Sequence, residues 1–141
     1  MFRSDPIYEA CHGHDDKFAW RVKAPGIFCD VTLFIHPFDL TLTAQAAKEI
    51  GGHLQEAVAR RRCRKKYLGH AMFEIPGFDP TETATLAVAS WPDSESVQLR
   101  IGAVSTRLHL EAAEDIGYHL QVAGERMEHF LWTQNADAAS A

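Results

Sequence analysis

Residues 46–55 (AAKEIGGHLQ) and residues 112–121 (AAEDIGYHLQ) are two copies of one segment, and this repetition indicates how the chain folds. Seven of the ten positions are identical, and the same offset of 66 residues places residues 18–60 on residues 84–126 without a gap. Such self-similarity is typical of a duplicated structural unit. A unit of this length is small for a stable core of its own, so we expect the copies to pack together as one domain.

The composition of the chain is that of a globular protein. Its 141 residues are 46% hydrophobic and 23% charged, which is unlike a disordered sequence. The formal charge of −5 and the pI near 5.9 argue against binding to DNA through charge alone.

Several features predict a cytoplasmic location and no membrane contact. No apolar run reaches the roughly 18 residues that a membrane span needs. The first 17 residues are polar, whereas a secretion signal has an apolar segment there. The three cysteines, Cys11, Cys29 and Cys63, lack CxxC spacing, and their odd number is typical of reduced thiols.

Alternation of apolar and polar residues predicts strands at residues 18–23, 29–36 and 40–42. Thr43 is a good N-cap for a helix that extends to about Arg64, because Ala47, Ile50 and Leu54 recur at helical spacing. The second copy repeats this order and ends in a helix near residues 110–132. The predicted fold class is therefore α+β, an internal duplication of a β-β-β-α unit with antiparallel sheet packed on two helices about a pseudo-two-fold axis.

This pattern also predicts the division of the chain. The predicted segments are a flexible N-terminal arm at 1–17, a first repeat at 18–66, a linker at 67–83 with a short edge strand at 72–75, a second repeat at 84–134, and a disordered tail at 135–141.

Gly51 and Gly117 are equivalent positions inside the two helices, where glycine costs about 1 kcal/mol relative to alanine. Either the two helices cross at these glycines, or each glycine lets its helix approach its own sheet. His53 and His119 are also equivalent. They could form a metal or pH-sensing site across the axis, but we expect boundary histidines bonded to their own sheets, since no carboxylate or thiol accompanies them.

The N-terminal segment is rich in metal-ligand types. Cys11, His12 and His14 precede two aspartates and could bind zinc or copper. A structural site normally draws a second ligand pair from elsewhere in the chain, and the sequence shows none. We therefore expect a solvated arm with no metal and no cofactor.

The strongest charge feature is a basic run at residues 60–66. Its six cationic side chains belong to Arg60, Arg61, Arg62, Arg64, Lys65 and Lys66. They could bind phosphates, with Tyr67 stacking on a base. They could equally be the solvated last turn of a helix, where positive charge is favoured. The second copy does not retain the run.

The sequence contains no nucleophile elbow, no metalloprotease motif, no phosphate-binding loop and no dinucleotide fingerprint. We therefore expect a protein that is not an enzyme.

Two resemblances bear on function. The pattern Leu40-x-Leu42-Thr43 before an alanine-rich helix resembles short bacterial and phage domains of unknown function, which implies no activity. The tandem of sheet-then-helix units is similar in layout to PUR repeats, which intertwine to bind single-stranded nucleic acid. PUR repeats usually have four strands, whereas three are predicted here. Their basic and aromatic sheet face is partly matched by residues Arg21, Lys23, Phe34 and Arg100.

Three hypotheses follow. The first is a non-enzymatic protein-binding module, such as an adaptor or a small inhibitory or regulatory protein of phage or mobile-element type. It would use the aromatic side chains Phe34 and Phe38. The second is single-stranded nucleic-acid binding through the sheet face and the basic run. The third is a metal- or ligand-responsive regulator that uses the histidines. The sequence leaves open whether the protein forms a homo-oligomer.

Overall fold

The computed structural model describes residues 7–14, 17–24, 30–36, 38–74, 83–101 and 104–139. Within them, eight strands and two helices form two sets, each with four strands followed by one helix. The first set is β1 (Tyr8–His14), β2 (Lys17–Ala24), β3 (Asp30–Ile35), β4 (Phe38–Thr43) and α1 (Ala44–Arg62). The second set is β5 (Tyr67–Glu74), β6 (Thr83–Ser90), β7 (Ser96–Ile101), β8 (Val104–His109) and α2 (Leu110–Ala139).

Each set of strands forms one antiparallel sheet in sequence order, β1-β2-β3-β4 in the first and β5-β6-β7-β8 in the second. The register repeats between the sheets, since Val22 lies opposite Leu33 and Val88 lies opposite Leu99. The predicted α+β duplication, with antiparallel sheets packed on two helices, is confirmed.

The number of strands in each unit differs from the prediction, which was three. The first strand of each sheet lies in segments predicted to be an arm and a linker. Tyr8 lies opposite Ala24 in the first sheet, and Tyr67 lies opposite Ser90 in the second. Ala24 and Ser90 are equivalent at the offset of 66, so Tyr8 and Tyr67 are equivalent to each other. The offset between the copies is therefore 59 in these first strands. The alternation is weak because Ala10 and Gly69, which face the helices, are small. A Cβ atom on Gly69 would lie 2.6 Å from His53 Nδ1.

Each helix packs mainly on the sheet of the other unit. Helix α1 contacts β5 and β6 most extensively, and α2 contacts β2 and β3. The two helices also pack closely on each other. Neither unit therefore buries its own helix by itself, as the small size of one repeat predicted.

The helices cross at the two equivalent glycines. A Cβ atom on Gly51 would lie 2.5 Å from the Gly117 carbonyl oxygen, and one on Gly117 would lie 2.8 Å from the Gly51 carbonyl oxygen. The side chains of Gln121 and Gln55 lie against the same glycines from the opposite helix. Of the two interpretations of the glycines, the helix crossing is confirmed.

The core contains the apolar positions of the alternating strands and of the helical repeat in both copies, and Ile101 at the end of β7 is half-buried. The fully or nearly fully buried members are Trp20, Val22, Val31, Leu33, Ile35, Leu42, Ile50, Leu54, Leu86, Val88, Val97, Leu99, Leu108, Ile116 and Leu120.

The helix ends follow local chemistry. The Thr43 hydroxyl accepts a hydrogen bond from the Ala46 amide at 3.1 Å, which is the predicted N-cap. Helix α1 ends two residues before the predicted Arg64, which has a φ of 56°. Helix α2 extends to Ala139, although a disordered tail was predicted from residue 135. Residues 135–139 include three alanines and no glycine or proline, so their helix propensity allows α2 to continue to Ala139.

Candidate functional site

The helices cover only one face of each sheet. On the first sheet, the first outer face is defined by two rows of paired residues. One row consists of Cys11, Arg21, Phe34 and Asp39, and the other consists of Glu9, Lys23, Thr32 and Thr41. Successive strands lie about 4.8 Å apart, so each row forms a continuous strip across the sheet.

Phe34 is the aromatic centre of the first outer face. Its side chain is 40% exposed, which is unusual for phenylalanine in a sheet. Arg21 lies directly opposite Phe34 on β2, and Lys23 lies one row away. With Thr32 and Asp39 these residues line a shallow cavity of about 340 Å³. The face therefore combines an exposed ring with two cationic side chains.

Two carboxylates accompany these cations. Arg21 Nη2 lies 3.0 Å from Glu9 Oε1, and both side chains are about one-third exposed. Asp39 lies opposite Phe34 on the other side. Since exposed ion pairs are weak, Arg21 can exchange Glu9 for an anionic ligand at small cost.

The outer face of the second sheet has different chemistry. Arg100 occupies the position equivalent to Phe34. Arg107 and the histidines His70 and His109 are also exposed there. Among the side chains that the structure describes on this face there is no carboxylate. Within the described side chains the face is cationic, and Arg100 stands in the place of the exposed Phe34 ring.

The cationic side chains of the basic run at residues 60–66 fall into two groups. Arg60 Nε lies 2.7 Å from Glu56 Oε1, Arg61 donates to the Ser94 carbonyl oxygen, and Arg62 pairs with Glu114 of α2. Arg61 and Arg62 therefore join the end of α1 to the second unit, whereas the Arg60 pair with Glu56 lies within α1 itself. The remaining three residues of the run, Arg64, Lys65 and Lys66, follow the helix and are exposed.

Phe38 differs from Phe34 in its place in the sheet. It pairs with Ile35, whose side chain is buried, so its register position belongs to the helix-facing side of β4. The side chain of Phe38 lies outside the described part of the structure.

The residues of the N-terminal ligand cluster belong to an edge strand. Cys11 and His12 are exposed on β1, and consecutive strand residues point to opposite faces. The side chain of His14 and residues 15–16 lie outside the described residues. Across the residues that the structure covers, no group of three or more histidine, cysteine or carboxylate side chains could hold a metal ion. Cys11 and Cys63 are exposed free thiols.

The two equivalent histidines bond to tyrosines of the other unit's sheet. His53 Nδ1 lies 2.7 Å from the Tyr67 hydroxyl, and His119 Nδ1 forms the matching hydrogen bond with the Tyr8 hydroxyl. The prediction that each histidine bonds to its own sheet is wrong, because the helices exchange sheets.

Burial shifts the pKa values of both tyrosines and of His119. It raises the pKa of both Tyr8 and Tyr67, and it lowers the pKa of His119, which Asp115 partly opposes. The equivalence of the two tyrosines is hidden at the offset of 66. An offset of 59 aligns Tyr8 with Tyr67 and would have found them.

The chain matches no protein-family model, no curated protein and no solved structure. Within the described residues, neither helix is long and apolar enough to cross a membrane. The geometry of the molecule itself is therefore the basis on which its function is inferred.

Proposed function

We propose that this protein is a non-enzymatic module that binds single-stranded nucleic acid on the first outer face. The observation that carries the proposal is the exposed ring of Phe34 beside Arg21 and Lys23 in an open cavity of about 340 Å³. Proteins that bind single strands combine aromatic stacking platforms with cations that follow the backbone. Both elements occur here on one flat surface.

The two contributions differ in kind. A base stacked on an aromatic side chain contributes about 1–3 kcal/mol and tolerates any sequence, because every base has a π-face. Cations contribute through the release of counterions, and this part weakens as salt is added. Phe34 supplies the first contribution, and Arg21 and Lys23 supply the second.

The layout of the molecule supports the proposal. Each unit has four strands before its helix, which is the strand number usual for the PUR repeats that this tandem resembles. Each helix also packs on the sheet of the other unit, so the units intertwine. This likeness concerns architecture, and the chemistry of the face is the independent support.

The first outer face itself has two cations and two carboxylates, Glu9 and Asp39, and the net negative charge of the chain lies largely elsewhere. Helix α2 has six acidic residues and one basic residue, whereas α1 has four basic and two acidic ones. Much of the negative charge thus lies on α2. Exposed Arg64, Lys65 and Lys66 offer further phosphate contacts after α1.

Titration of a labelled oligothymidylate of twelve nucleotides tests the proposal, with fluorescence anisotropy at about 50 and 200 mM salt. Phe34→Ala should weaken binding at both salt concentrations by roughly 5- to 150-fold, which corresponds to one lost stacking contact. The double variant Arg21→Ala/Lys23→Ala should reduce the slope of log K against log salt by about 1.4.

Leu68→Ala is the matched control, because Leu68 is an apolar side chain, 58% exposed, on the other sheet. It should leave the affinity unchanged. Wild-type protein that does not bind the oligonucleotide at the lower salt concentration would contradict the proposal.

A protein partner is the second candidate. Trp91 is 40% exposed and Trp132 is 69% exposed, and exposed tryptophans are typical of protein interfaces. Affinity capture with wild type and with Trp91→Ala tests this alternative. A partner retained by wild type, lost in the variant and unaffected by Phe34→Ala would favour an adaptor or inhibitory role. The source and the cytoplasmic location of the protein stay predictions.

A further inference from the structure

We propose that a cluster of aromatic rings around His119 is a second stacking site, which takes further bases of the strand held on the first outer face. The His119 cluster consists of Tyr8, His12, Trp20, Tyr118 and His119. This inference rests on the proposed function and extends it to a longer ligand and to the opposite side of β1.

The rings of the His119 cluster form a layered arrangement. Trp20 is 5% exposed, and its ring centroid lies 5.5 Å from that of His119. His12 stacks on Trp20 with 6.4 Å between centroids and 18° between planes. Tyr118 meets the edge of His119 at 5.2 Å and is 54% exposed. A buried aromatic base therefore supports two exposed rings, His12 and Tyr118.

The second copy shows which parts of the cluster the fold itself needs. The histidine–tyrosine hydrogen bond is present in both copies. The other three rings are not, since Gly52, Ala71 and Leu86 occupy the positions equivalent to Tyr118, His12 and Trp20. The repeat thus folds without these rings. Two exposed aromatic side chains that the fold does not need are best explained by a ligand.

The His119 cluster and the first outer face are neighbours across one edge of the sheet. A row of paired residues leads from Phe34 through Arg21 to Cys11 on β1, and His12 follows Cys11 on the other side of that strand. Strand spacing places β1 about 10 Å from β3. A flexible strand that stacks a base on Phe34 can therefore cross β1 and reach the cluster within a few nucleotides.

The charges near the His119 cluster are mixed. Arg126 is close enough to Tyr8 for its positive charge to lower the pKa of that hydroxyl, against the larger effect of burial. The negative charge of Asp115 raises the pKa of His119, against the larger effect of burial. Arg126 also follows His119 by two helical turns on the same face of α2, which places it to contact a phosphate beside the stacked bases.

The test compares oligothymidylates of four and of twelve nucleotides on the full chain. Wild type should bind the longer strand more tightly by about tenfold or more, the gain expected from added stacking. His12→Ala/Tyr118→Ala should remove most of this gain and leave the affinity for the short strand unchanged. Both changes are at exposed positions, and circular dichroism verifies the fold.

Trp132→Ala is the matched control, since Trp132 is an exposed aromatic residue of the same helix outside the cluster. It should preserve the gain. A length gain that survives His12→Ala/Tyr118→Ala, while Phe34→Ala still weakens binding of both strands, would overturn this inference alone. Wild type that binds neither strand would overturn the proposed function as well.

Discussion

Lys48 of α1 and Glu128 of α2 form an ion pair with 2.9 Å between Nζ and Oε2, and the equivalent positions of the other copy form a second pair with the charges exchanged. That second pair joins Arg62 of α1 to Glu114 of α2. The basic members thus lie on α1 and the acidic members on α2. The two copies have become electrostatically complementary while they keep the same fold.

This complementarity predicts the outcome of a charge exchange. Lys48→Glu places a carboxylate opposite Glu128 and should lower the midpoint of thermal unfolding. Adding Glu128→Lys restores opposite charges and should recover most of the loss. Thermal melts at low salt measure both effects, since salt screens exposed pairs. Equal melting points for the single and double variants would show that the pair does not contribute.

The helix crossing predicts opposite effects at two neighbouring glycines. Gly51→Ala forces a Cβ atom to within 2.5 Å of the Gly117 carbonyl oxygen, and such overpacking costs typically about 1–3 kcal/mol. At Gly52 the nearest atom would be Gln121 Nε2 at 3.4 Å. There the helix propensity of alanine should stabilise the protein by up to about 1 kcal/mol.

Urea unfolding followed by circular dichroism compares the two glycine variants. Gly52→Ala is the control for the effect of helix propensity alone. If Gly51→Ala proves as stable as Gly52→Ala, the helices are not in contact at Gly51.

His119 predicts a loss of stability toward acidic pH. Burial holds its pKa below the ordinary value of about 6.5. The unfolded chain therefore binds a proton at higher pH than the folded protein does. The free energy of unfolding should fall as the pH drops below about 6.5, until the folded histidine also becomes protonated.

The measurement is urea unfolding at several pH values for wild type and His119→Gln. The variant keeps a polar side chain but cannot titrate, so its stability should depend less on pH in this range. An identical pH dependence in the two proteins would exclude His119 as the cause.

The divided basic run predicts two separate phenotypes. Arg64→Glu/Lys65→Glu/Lys66→Glu should weaken oligonucleotide binding and leave the melting temperature nearly unchanged, because these side chains are exposed. Replacing Arg60, Arg61 and Arg62 with alanine should lower the melting temperature, because it removes their contacts to Glu56, Ser94 and Glu114. If the first triple variant binds as well as wild type over the same salt range, the exposed part of the run does not contact phosphates.

Much of the fold could be predicted from periodicity and self-comparison. The alternation around Leu33 and Leu99 identified central strands, and the crossing at Gly51 and Gly117 was one of the two alternatives that the repeated glycines left open. Strand β1 was missed, and β5 was predicted only in part, as a short edge strand at 72–75, because the helix-facing positions of these strands include Ala10 and Gly69, which give no apolar signal. These positions are small because a helix of the other unit approaches there, and this is a tertiary cause.

The site was harder to predict than the fold. Phe34 was identified as an outward residue by alternation alone, and the structure agrees. The internal partners of Arg61 and Arg62 could not be foreseen, because Ser94 and Glu114 are distant in sequence. The His119 cluster joins residues from β1, β2 and α2, and only the exchange of helices between the units brings them together.

Binding of a single strand on the first outer face is tested most directly by titrating isotope-labelled protein with a twelve-nucleotide oligothymidylate and following the amide chemical shifts. We expect the largest shifts at Arg21, Lys23, Thr32 and Phe34. Gln45 and Glu49, on the exposed side of α1, should stay unchanged. Shifts confined to the helices, or no shifts at saturating oligonucleotide, would contradict binding on the first outer face.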